Sequence, residues 1–442
     1  MAKKREKHAS KIGITGKLSM VILRQKHASN SAKVARTRFK KKRKRTIGGY
    51  FGGLPCETLH KIALMLPFTS IIQLRRSSKF WYNRLTEPKF IDLHLTRALQ
   101  KPPGYLFTPN YECSQGRREI YTVEQSGGHI STSNIFEYSI KWEANKRNKF
   151  QSSGGLMCVY STQSNCFRIF NPNIAEEIQV HNVPVFKKCR HWWFFSYSPS
   201  TKEYEILKIG VLLRNNNIES TVGSICTVGS NNWRKIKKNI PHQQDFNYVA
   251  ECQGNLFWIK NRSVVWFDLA SEEFHVIPGP PRDDTLVKGP VRPCAGILIA
   301  HLINMGHTVG CIQDYRLWML EDKTKGIWIS RYEFSNPLLY RNLHIAGVSE
   351  NGGLFGFIRR SANLFRQDMG CTEVEKISLD DSFERIAYVA PHVRSFVSPL
   401  RILELGNKQI SDQCDVTENV PDLTVADSQA IIKRRKLKKR QR

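Results

Sequence analysis

The sequence predicts a small helical segment followed by a large all-β domain, an α+β multidomain fold with a basic tail at each end. Three observations predict it. Helical periodicity interrupted by prolines fills residues 51–97, and short β-branched and aromatic runs separated by turn residues fill residues 103–404. The positive charge is concentrated in residues 1–50 and at the end of residues 405–442. At 442 residues the chain is long enough for two or three domains.

The net charge of +30 belongs mainly to the tails. Residues 1–50 contain seventeen Lys or Arg and one Glu, and residues 433–442 contain eight basic residues and no acid, so +24 of the +30 lies there. Segments this rich in like charge, with no sustained apolar period, favour disorder when unbound. We therefore expect residues 1–50 and 405–442 to be disordered tails.

Two clusters in these tails are dense enough to be read by a nuclear import receptor, and they would also bind nucleic-acid phosphate non-specifically. We therefore predict that an import receptor is a partner. We predict the nucleus as the location, with the cytoplasm as an additional one. The clusters consist of Arg38, Lys40, Lys41, Lys42, Arg43, Lys44, Arg45, Lys433, Arg434, Arg435, Lys436, Lys438, Lys439 and Arg440.

Apolar residues early in the helical segment recur at i, i+3, i+4 and i+7, which is one stripe on a helix: Leu59, Ile62, Ala63 and Leu66. Prolines at 55, 67 and 88 punctuate this segment. Thr69 or Ser70 can cap a second helix and Ser78 a third.

A cluster of about 45 residues is marginal by itself, because three short helices cannot bury all this apolar surface among themselves. Either the β domain or a partner protein must cover it. Periodicity leaves both alternatives open.

The stretch "LPCETLHKIALMLPFTSIIQLRRSSKFWYNRLTEPKFIDLHL" resembles an F-box. The family pattern has Leu-Pro with an acid, Ile, a second Leu-Pro, a Leu-led helix, Lys-x-Trp, and a closing Pro-x-Phe before His-Leu. Ser77 and Ser78 stand where the family usually has apolar or Cys residues. The matching positions are Leu54, Pro55, Glu57, Ile62, Leu66, Pro67, Leu74, Lys79, Trp81, Pro88, Phe90, His94 and Leu95.

The resemblance implies docking to a Skp-like adaptor, and through it to a cullin, in an SCF-type ubiquitin ligase. The alternative for individual positions, Trp81 and Leu85 above all, is packing inside the chain. The residues that the resemblance assigns to adaptor binding are Leu54, Pro55, Ile62, Leu66, Pro67, Leu74 and Trp81.

The β domain shows a loose recurrence of Gly, an apolar strand, a tight turn and an aromatic-led strand. "CQGNLFWIKNRSVVWFDLASEEFHVIP" shows the unit best. About 300 residues at ~40–50 residues a blade give roughly six or seven propeller blades. A pair of β-sandwiches is the competing architecture.

Phrases of this domain resemble the F-box-associated or Kelch-type domain that follows the box in plant F-box proteins. They are "GGLMCV", "FNPNIAEE", "FFSYSPSTKEYEILKI", "TVGSNNWRKI", "CQGNLFWI" and "VWFDLASEEFHVIP", in chain order. The resemblance runs from about Gly154 to Pro278. It implies a domain that recruits a protein substrate for ubiquitination.

Motifs for catalysis, metal and cofactors are not found. The eleven cysteines are scattered singly without a CxxC pair, and no nucleophile elbow, Walker loop, HExxH or GxGxxG occurs. No apolar run reaches the ~18 residues of a membrane span. We therefore expect a non-catalytic ligase subunit with no cofactor, no metal and no membrane partner. The alternative is a nuclear nucleic-acid-associated scaffold that uses its basic tails.

Overall fold

The computed structural model of the protein describes residues 53–406. The residues in this range left undescribed are 102, 110–116, 127–128, 140–149, 162–163, 216, 231, 242–245, 247–248, 261–262, 282–300, 306–307, 314–315, 334–342, 349–352, 359–362, 369–373 and 379–385. Both predicted disordered tails, 1–50 and nearly all of 405–442, lie outside the described residues. Contacts divide the chain into two compact units, Met1–Leu85 and Thr86–Arg442, which are described separately below.

The first unit is helical over its described residues. It contains α1 (Cys56–Met65), α2 (Phe68–Ser77) and α3 (Lys79–Leu85). Pro55 precedes α1, and Glu57 lies in the first turn, where a carboxylate complements the helix dipole. The hydroxyl of Ser78 accepts a hydrogen bond from the backbone N–H of Trp81 at 3.3 Å, so the predicted cap of α3 is confirmed.

The predicted cap of α2 is wrong. Neither Thr69 nor Ser70 precedes the helix, because α2 already begins at Phe68. Pro67 occupies the capping position with φ −58° and ψ 149°, without a side-chain hydrogen bond. A proline there fixes φ at a value compatible with helix entry, so the helix begins before either hydroxyl residue is reached.

The second unit is mostly β and has a six-bladed propeller arrangement, as one of the two predicted architectures requires. The described residues form six four-stranded antiparallel sheets, each of which is one blade. Blade 1 consists of β1 (Gly104–Pro109), β2 (Arg117–Ser126), β3 (His129–Ser139) and β24 (Ile386–His392); blade 2 of β4 (Phe150–Ser153), β5 (Leu156–Ser161), β6 (Cys166–Asn171) and β7 (Glu176–Val180). Blade 3 consists of β8 (Cys189–Ser198), β9 (Glu203–Arg214), β10 (Asn217–Thr227) and β11 (Trp233–Lys235); blade 4 of β12 (Val249–Cys252), β13 (Asn255–Lys260), β14 (Ser263–Asp268) and β15 (Glu273–Pro278). Blade 5 consists of β16 (His301–Asn304), β17 (Val309–Gln313), β18 (Arg316–Asp322) and β19 (Ile327–Glu333); blade 6 of β20 (Leu343–Val348), β21 (Leu354–Ile358), β22 (Asn363–Gln367) and β23 (Glu375–Ser378).

The ring is closed by strands from opposite ends of the unit. Strand β24 pairs antiparallel with β1, placing Leu106 opposite Ala390 and Phe107 opposite Val389. Blade 1 is therefore completed by the end of the chain's β region, since β24 covers the edge of β1 that β2 leaves unpaired. This closure joins residues about as far apart in the β domain as the sequence allows.

Apolar side chains fill every junction between neighbouring blades. The strands alternate or run continuously apolar because both faces of a blade pack against another blade, as in Leu156–Val159, where all four side chains are buried. The six junctions, from blades 1–2 round to blades 6–1, are represented by the pairs Leu106 and Met157, Ile169 and Ile206, Ile209 and Trp258, Trp266 and Cys311, Leu317 and Leu354, and Phe355 and Tyr105.

Helix α4 (Pro88–Leu99) belongs to the propeller unit. Phe90 and Leu95 are buried, and the ring of Phe396 lies 6.4 Å from Phe90 and 4.9 Å from His94 between centroids. Leu95 shares an apolar cluster with Val397. The F-box predicted over residues 51–97 therefore includes residues of both units, because the division between them falls after Leu85. The bounds of the F-box stay a prediction.

Residues 393–406, here called the C-terminal strap, follow β24 and end in a helix over residues 399–406. The buried side chain of Asn171 donates hydrogen bonds to the carbonyl oxygens of Ser395 (3.1 Å) and Val397 (2.8 Å). The Ser395 hydroxyl donates to the carbonyl oxygen of Gly155 at 3.1 Å. Ser398 donates to the Glu176 carboxylate. These buried hydrogen bonds fix the strap on blade 2.

Gly155→Ala should destabilise the propeller because it disturbs this attachment. Gly155 has φ +78°, and a Cβ there would overlap the Ser395 side chain. We expect a loss of about 2–3 kcal/mol in the free energy of unfolding from strain and overlap together. Gly104→Ala is the matched control, since a Cβ there meets its nearest atom, the carbonyl oxygen of His392, at 3.6 Å. Urea denaturation of both variants measures the difference; equal midpoints would contradict the contact.

Candidate functional site

The helical unit exposes a group of large apolar side chains. Leu54 is 39% exposed, Ile62 41%, Met65 76% and Leu66 38%. We call these four residues the apolar helical surface. Folded domains expose single apolar residues routinely, but several of them along one helix and at its two ends are typical of an interaction site.

The predicted four-residue stripe on α1 divides between two faces. Leu59 and Ala63 are buried, whereas Ile62 and Leu66 are exposed. Leu59 and Ala63 are spaced i, i+4 and therefore lie on one face of the helix, whereas Leu66 follows the last helical residue in an extended conformation. The stripe predicted from periodicity thus serves both the interior and the surface.

The residues predicted for adaptor binding vary in exposure. Leu54, Pro55, Ile62, Leu66 and Pro67 are exposed, and Leu74 and Trp81 are half-buried. Ile71 and Leu85 are buried, so the alternative of internal packing is confirmed for Leu85. Sequence reasoning missed Met65, although its spacing i+3 from Ile62 could have indicated it. Whether these residues bind an adaptor stays a prediction.

A buried histidine joins two helices of this unit. His60 is 1% exposed, and its Nε2 lies 3.1 Å from the carbonyl oxygen of Arg84, to which the ring N–H donates. Cys56 Sγ lies 3.4 Å from the same nitrogen. The contact connects α1 to the end of α3 and so fixes the helix that carries Ile62 and ends just before Leu66.

The propeller unit contains a small, partly open pocket, here called the propeller pocket, with a cavity volume of about 50 Å³. Blades 1 to 4 contribute to it, through β24, β4, β8 and β12 or the turns that follow them. Its lining residues are Leu99, Lys101, Pro103, Ser152, Ser153, Gly154, Tyr197, Pro199, Glu251, Gln253, Pro391, His392 and Val393. A cavity of this volume has room for a few water molecules, at roughly 10–15 Å³ each.

Glu251 supplies the acidic group of the propeller pocket. Its Oε1 accepts a hydrogen bond from Ser196 Oγ at 2.9 Å and lies 3.4 Å from the backbone N–H of Gly254. Desolvation by the surrounding blades raises the pKa of Glu251 to about 7, although hydrogen bonds from Ser196, Gly254 and Ser153 oppose the shift. The carboxyl group therefore titrates close to neutral pH.

His392 joins β24 to blade 2 at the other side of the pocket. Its Nδ1 lies 2.7 Å from Ser152 Oγ, and its Nε2 lies 3.4 Å from Asn173 Nδ2. Because an amide nitrogen can only donate, Nε2 accepts and Nδ1 carries the proton that is donated to Ser152. Burial, with a smaller effect from Arg394, lowers the pKa of His392 to about 3. The imidazole of His392 is therefore a weak base, and its N–H is used in a hydrogen bond to Ser152 that links β24 to β4.

The free energy of unfolding should depend on pH in a way that reports the protonation of Glu251. Its pKa is about 7 in the folded chain and about 4.3 when unfolded, so the folded state binds the proton more tightly. Its contribution to stability is therefore present at low pH and is lost as the pH rises from about 4.3 to about 7. His392, whose pKa is lowered, acts in the opposite direction.

Glu251→Gln keeps the acceptor for Ser196 and leaves His392 unchanged. We expect the free energy of unfolding of this variant, minus that of the parent, to rise with pH and level off above about pH 7. Urea denaturation between pH 5 and pH 8 measures it. Glu219→Gln, at an exposed carboxylate, is the control and should show no such rise. If the difference in free energy of unfolding between Glu251→Gln and the parent stayed constant from pH 5 to pH 8, it would contradict a raised pKa for Glu251.

The predicted import clusters, Arg38–Arg45 and Lys433–Arg440, lie outside the described residues. Within the part of the chain that the structure describes, no helix is both long enough and apolar enough to cross a membrane. Seven cysteines in that part are free thiols, five of them buried, as the absence of paired spacing led us to expect.

Comparison with known proteins finds relatives by sequence and, separately, solved structures with a low similarity of fold. Two Arabidopsis thaliana proteins match over most of this chain. The F-box protein At5g65850 is 24% identical over 75% of this chain and 84% of its own length. F-box only protein 12 is 20% identical over 81% of this chain and 86% of its own length. Two solved structures are similar at TM-scores too low for argument. A chain of a nidogen/laminin complex has TM-score 0.37 and 8% identity, covering 66% of this chain and 99% of its own. Streptogramin B lyase has TM-score 0.35 and 10% identity, covering 63% of this chain and 88% of its own.

The family comparison covers the propeller itself. The model of the "F-box associated beta propeller domain" matches residues 113–363, more than half of the chain and beyond both ends of the stretch in which the sequence phrases resemble it. The matched family is the F-box-associated one; the Kelch-type alternative stays a prediction. The chain belongs to the family of proteins that carry an F-box-associated β-propeller domain.

Proposed function

We propose that this protein is the substrate receptor of an SCF-type cullin-RING ubiquitin ligase. The helical unit is the F-box and docks a Skp-like adaptor, which in turn binds a cullin. The propeller recruits a protein substrate. Ubiquitin transfer is carried out by the conjugating enzyme of the complex, and this chain contributes position only.

The observation that carries the proposal is the apolar helical surface. Leu54, Ile62 and Leu66 are exposed, together with Met65, within one short stretch of the chain. Exposed aliphatic side chains gain about 25 cal/mol per Å² when a partner removes them from water. Membership of the F-box-associated family, and full-length relatives that carry the F-box name, support the identity of that partner.

The propeller suits the recruiting role because a closed ring of blades is a rigid scaffold for variable loops. A receptor that holds a substrate beside the conjugating enzyme raises the effective concentration of substrate lysines at the thioester. No catalytic group of this chain is needed for that effect. The residues that select the substrate belong to the propeller and its loops.

Affinity purification tests the proposal. Full-length chain is recovered from plant cells in which proteasome and neddylation are inhibited, and the bound proteins are identified by mass spectrometry. We expect a Skp-like adaptor and a cullin together with at least one substrate. The variant Leu54→Ala/Pro55→Ala should lose adaptor and cullin but keep proteins bound to the propeller. Adaptor missing from the parent, or retained by the variant, would contradict the proposal.

We also propose that the two basic clusters direct nuclear import, since consecutive Lys and Arg fit the acidic grooves of import receptors. A fluorescent fusion of the full chain should accumulate in nuclei, with some in the cytoplasm. Replacing the basic residues of both clusters by Ser should make it cytoplasmic. Unchanged nuclear signal after both replacements would contradict the assignment.

A further inference from the structure

The connection from blade 2 to blade 3, residues 181–188, is held in place by side chains of both blades. We call it the blade 2–3 loop. From the turn between β5 and β6, the Asn165 amide donates a hydrogen bond to the carbonyl oxygen of Val183 at 2.9 Å. From β9, Lys208 Nζ donates to the carbonyl oxygen of Pro184 at 2.8 Å. The loop backbone is therefore fixed at two successive carbonyl groups.

A buried ammonium group supports the blade 2–3 loop. Lys208 is 2% exposed, and burial lowers its pKa to about 8, so it stays mainly charged at neutral pH. Its Nζ lies 5.0 Å from the centre of the Tyr160 ring and 5.7 Å from that of Phe186, and such contacts offset part of the cost of burying the charge. The Phe186 ring packs against Gly210, where a Cβ would come within 2.6 Å of it. These contacts exist without a partner, so the loop is preorganised and would lose little entropy on binding.

The loop that is held in this way presents an apolar side chain among cations. Val185 is 69% exposed. Lys187 and Lys188 follow it and are exposed, as is Arg190 in the second position of β8. Among the described residues, no ion pair involves any of these three cations. Their charge can therefore be used by an anionic partner.

Helix α4 and the C-terminal strap attach at the other end of blade 3. Asp92 of α4 pairs with Lys202, in the turn that follows β8, at 2.9 Å. The strap passes Gly229, in the turn that follows β10, where a Cβ would meet the carbonyl oxygen of Ile402 at 2.8 Å. The blade 2–3 loop precedes β8, which has ten residues and so spans about 33 Å. A partner at the loop would therefore not compete with these attachments of the chain to itself.

The loop favours an acidic peptide over a nucleic acid. Phosphate groups would pair with the cations, but the bases of a single strand stack on exposed aromatic rings. The aromatic side chains near this end of blade 3, Phe186 and Trp192, are half-buried. The exposed apolar group is the aliphatic Val185, which a peptide side chain can cover. A peptide with carboxylates on both sides of an apolar residue matches both the valine and the cations.

We propose that the blade 2–3 loop binds an acidic segment of a recruited protein. An apolar side chain of that segment contacts Val185, and its flanking carboxylates pair with Lys187, Lys188 and Arg190. The assignment rests on the proposed receptor function, because it describes the substrate of the propeller. Since the pairs are exposed, the affinity should fall as salt is added.

Fluorescence anisotropy of the full chain tests the loop with three labelled probes. The first is the peptide acetyl-Glu-Asp-Glu-Leu-Glu-Asp-Glu-amide. The second has Gln and Asn in place of the acids, and the third is an oligouridylate. We expect the acidic peptide to bind at least about tenfold more tightly than the uncharged one, as several exposed ion pairs together imply.

Two variants of the loop are compared with a charge-matched control, because the basic tails also attract acidic probes. Lys187→Glu/Lys188→Glu should bind the acidic peptide at least about tenfold more weakly than Lys325→Glu/Lys376→Glu, which makes the same charge change at exposed positions of blades 5 and 6. Val185→Ser leaves the charge unchanged and should weaken binding about fivefold to tenfold through the lost apolar contact. All three should keep the parent's melting temperature, because the changed side chains are exposed.

Equal binding of the acidic peptide by the two double variants would overturn the proposal, as would full affinity in Val185→Ser or absence of binding at about 1 mM peptide. Oligouridylate binding that is tighter than peptide binding, and is lost in Lys187→Glu/Lys188→Glu but kept in Val185→Ser, would assign the surface to nucleic acid and also overturn it. Adaptor capture should be the same in every variant. A chain that captures adaptor but gives one of these results loses the loop assignment alone, whereas a parent chain that captures no adaptor loses the receptor function.

Discussion

A chain carrying Ile62→Asp and Leu66→Asp should bind a Skp-like adaptor at least about 100-fold more weakly than the parent, which two hot-spot losses of ~2 kcal/mol each readily supply. Both side chains are exposed: Ile62 lies on α1, and Leu66 is the residue that directly follows this helix. A carboxylate placed in an apolar interface stays unpaired and loses its water, so each change opposes docking. Equilibrium binding of purified adaptor measures the loss.

The control for this variant is Gln73→Asp, an exposed polar position on α2 that adds one negative charge. It should bind the adaptor as the parent does. Both variants should keep the parent's melting temperature, because none of the three changed positions, 62, 66 and 73, is buried. Undiminished binding by Ile62→Asp/Leu66→Asp would remove the apolar helical surface from the interface.

Ending the chain after Arg385 should prevent the propeller from folding. The cut removes β24, which carries the buried side chains of Ile386, Val389 and Ala390 and pairs along the whole of β1. Their burial at about 1–3 kcal/mol each, together with an unpaired inner strand, approaches the ~5–15 kcal/mol stability of a typical domain. We expect insoluble protein, or soluble protein without a cooperative thermal transition.

Two longer truncations make this result specific. A chain that ends after Gly406 keeps every described residue and should melt as the parent does. A chain that ends after His392 keeps β24 but loses the C-terminal strap, including buried Phe396 and Val397. It should fold with a lower melting temperature. A cooperative transition at the parent's temperature in the chain ending after Arg385 would contradict closure by β24.

Local patterns predicted the elements well. The periodicity from Leu59 to Leu66 and the flanking prolines indicated α1, and the hydroxyl of Ser78 caps α3 as predicted. The run from Asn255 to Pro278 showed three strands joined by two turns, and β13, β14 and β15 occupy it. These features depend on residues close in sequence, so one chain is enough to reveal them.

Contacts between distant residues were beyond sequence reasoning. The pairing of β24 with β1, the packing of Phe90 on Phe396, and the helix over residues 399–406 each depend on segments hundreds of residues apart or on a surface they cover. Spacing alone does not show which of many apolar runs meet. The same limit applied to α1, where periodicity did not separate buried Leu59 from exposed Ile62.

The propeller pocket shows the limit most clearly. Glu251 is one isolated acid in the sequence, and Ser153, Ser196 and His392 have no motif spacing with it. Only the convergence of β4, β8, β12 and β24 places Ser153, Glu251 and His392 around one cavity, with Ser196 hydrogen-bonded to Glu251. In contrast, the residues predicted to bind an adaptor were assigned from family resemblance; five of the seven are exposed, and Leu74 and Trp81 are half-buried.

Hydrogen exchange of the full-length chain with purified Skp-like adaptor is the decisive measurement. A complex of one adaptor per chain should form at micromolar concentration, with slowed exchange across residues 54–85 and unchanged exchange in the six blades. Failure to form that complex, or protection that falls on the blades while residues 54–66 exchange as before, would show that the exposed leucine and isoleucine side chains are not where the ligase attaches.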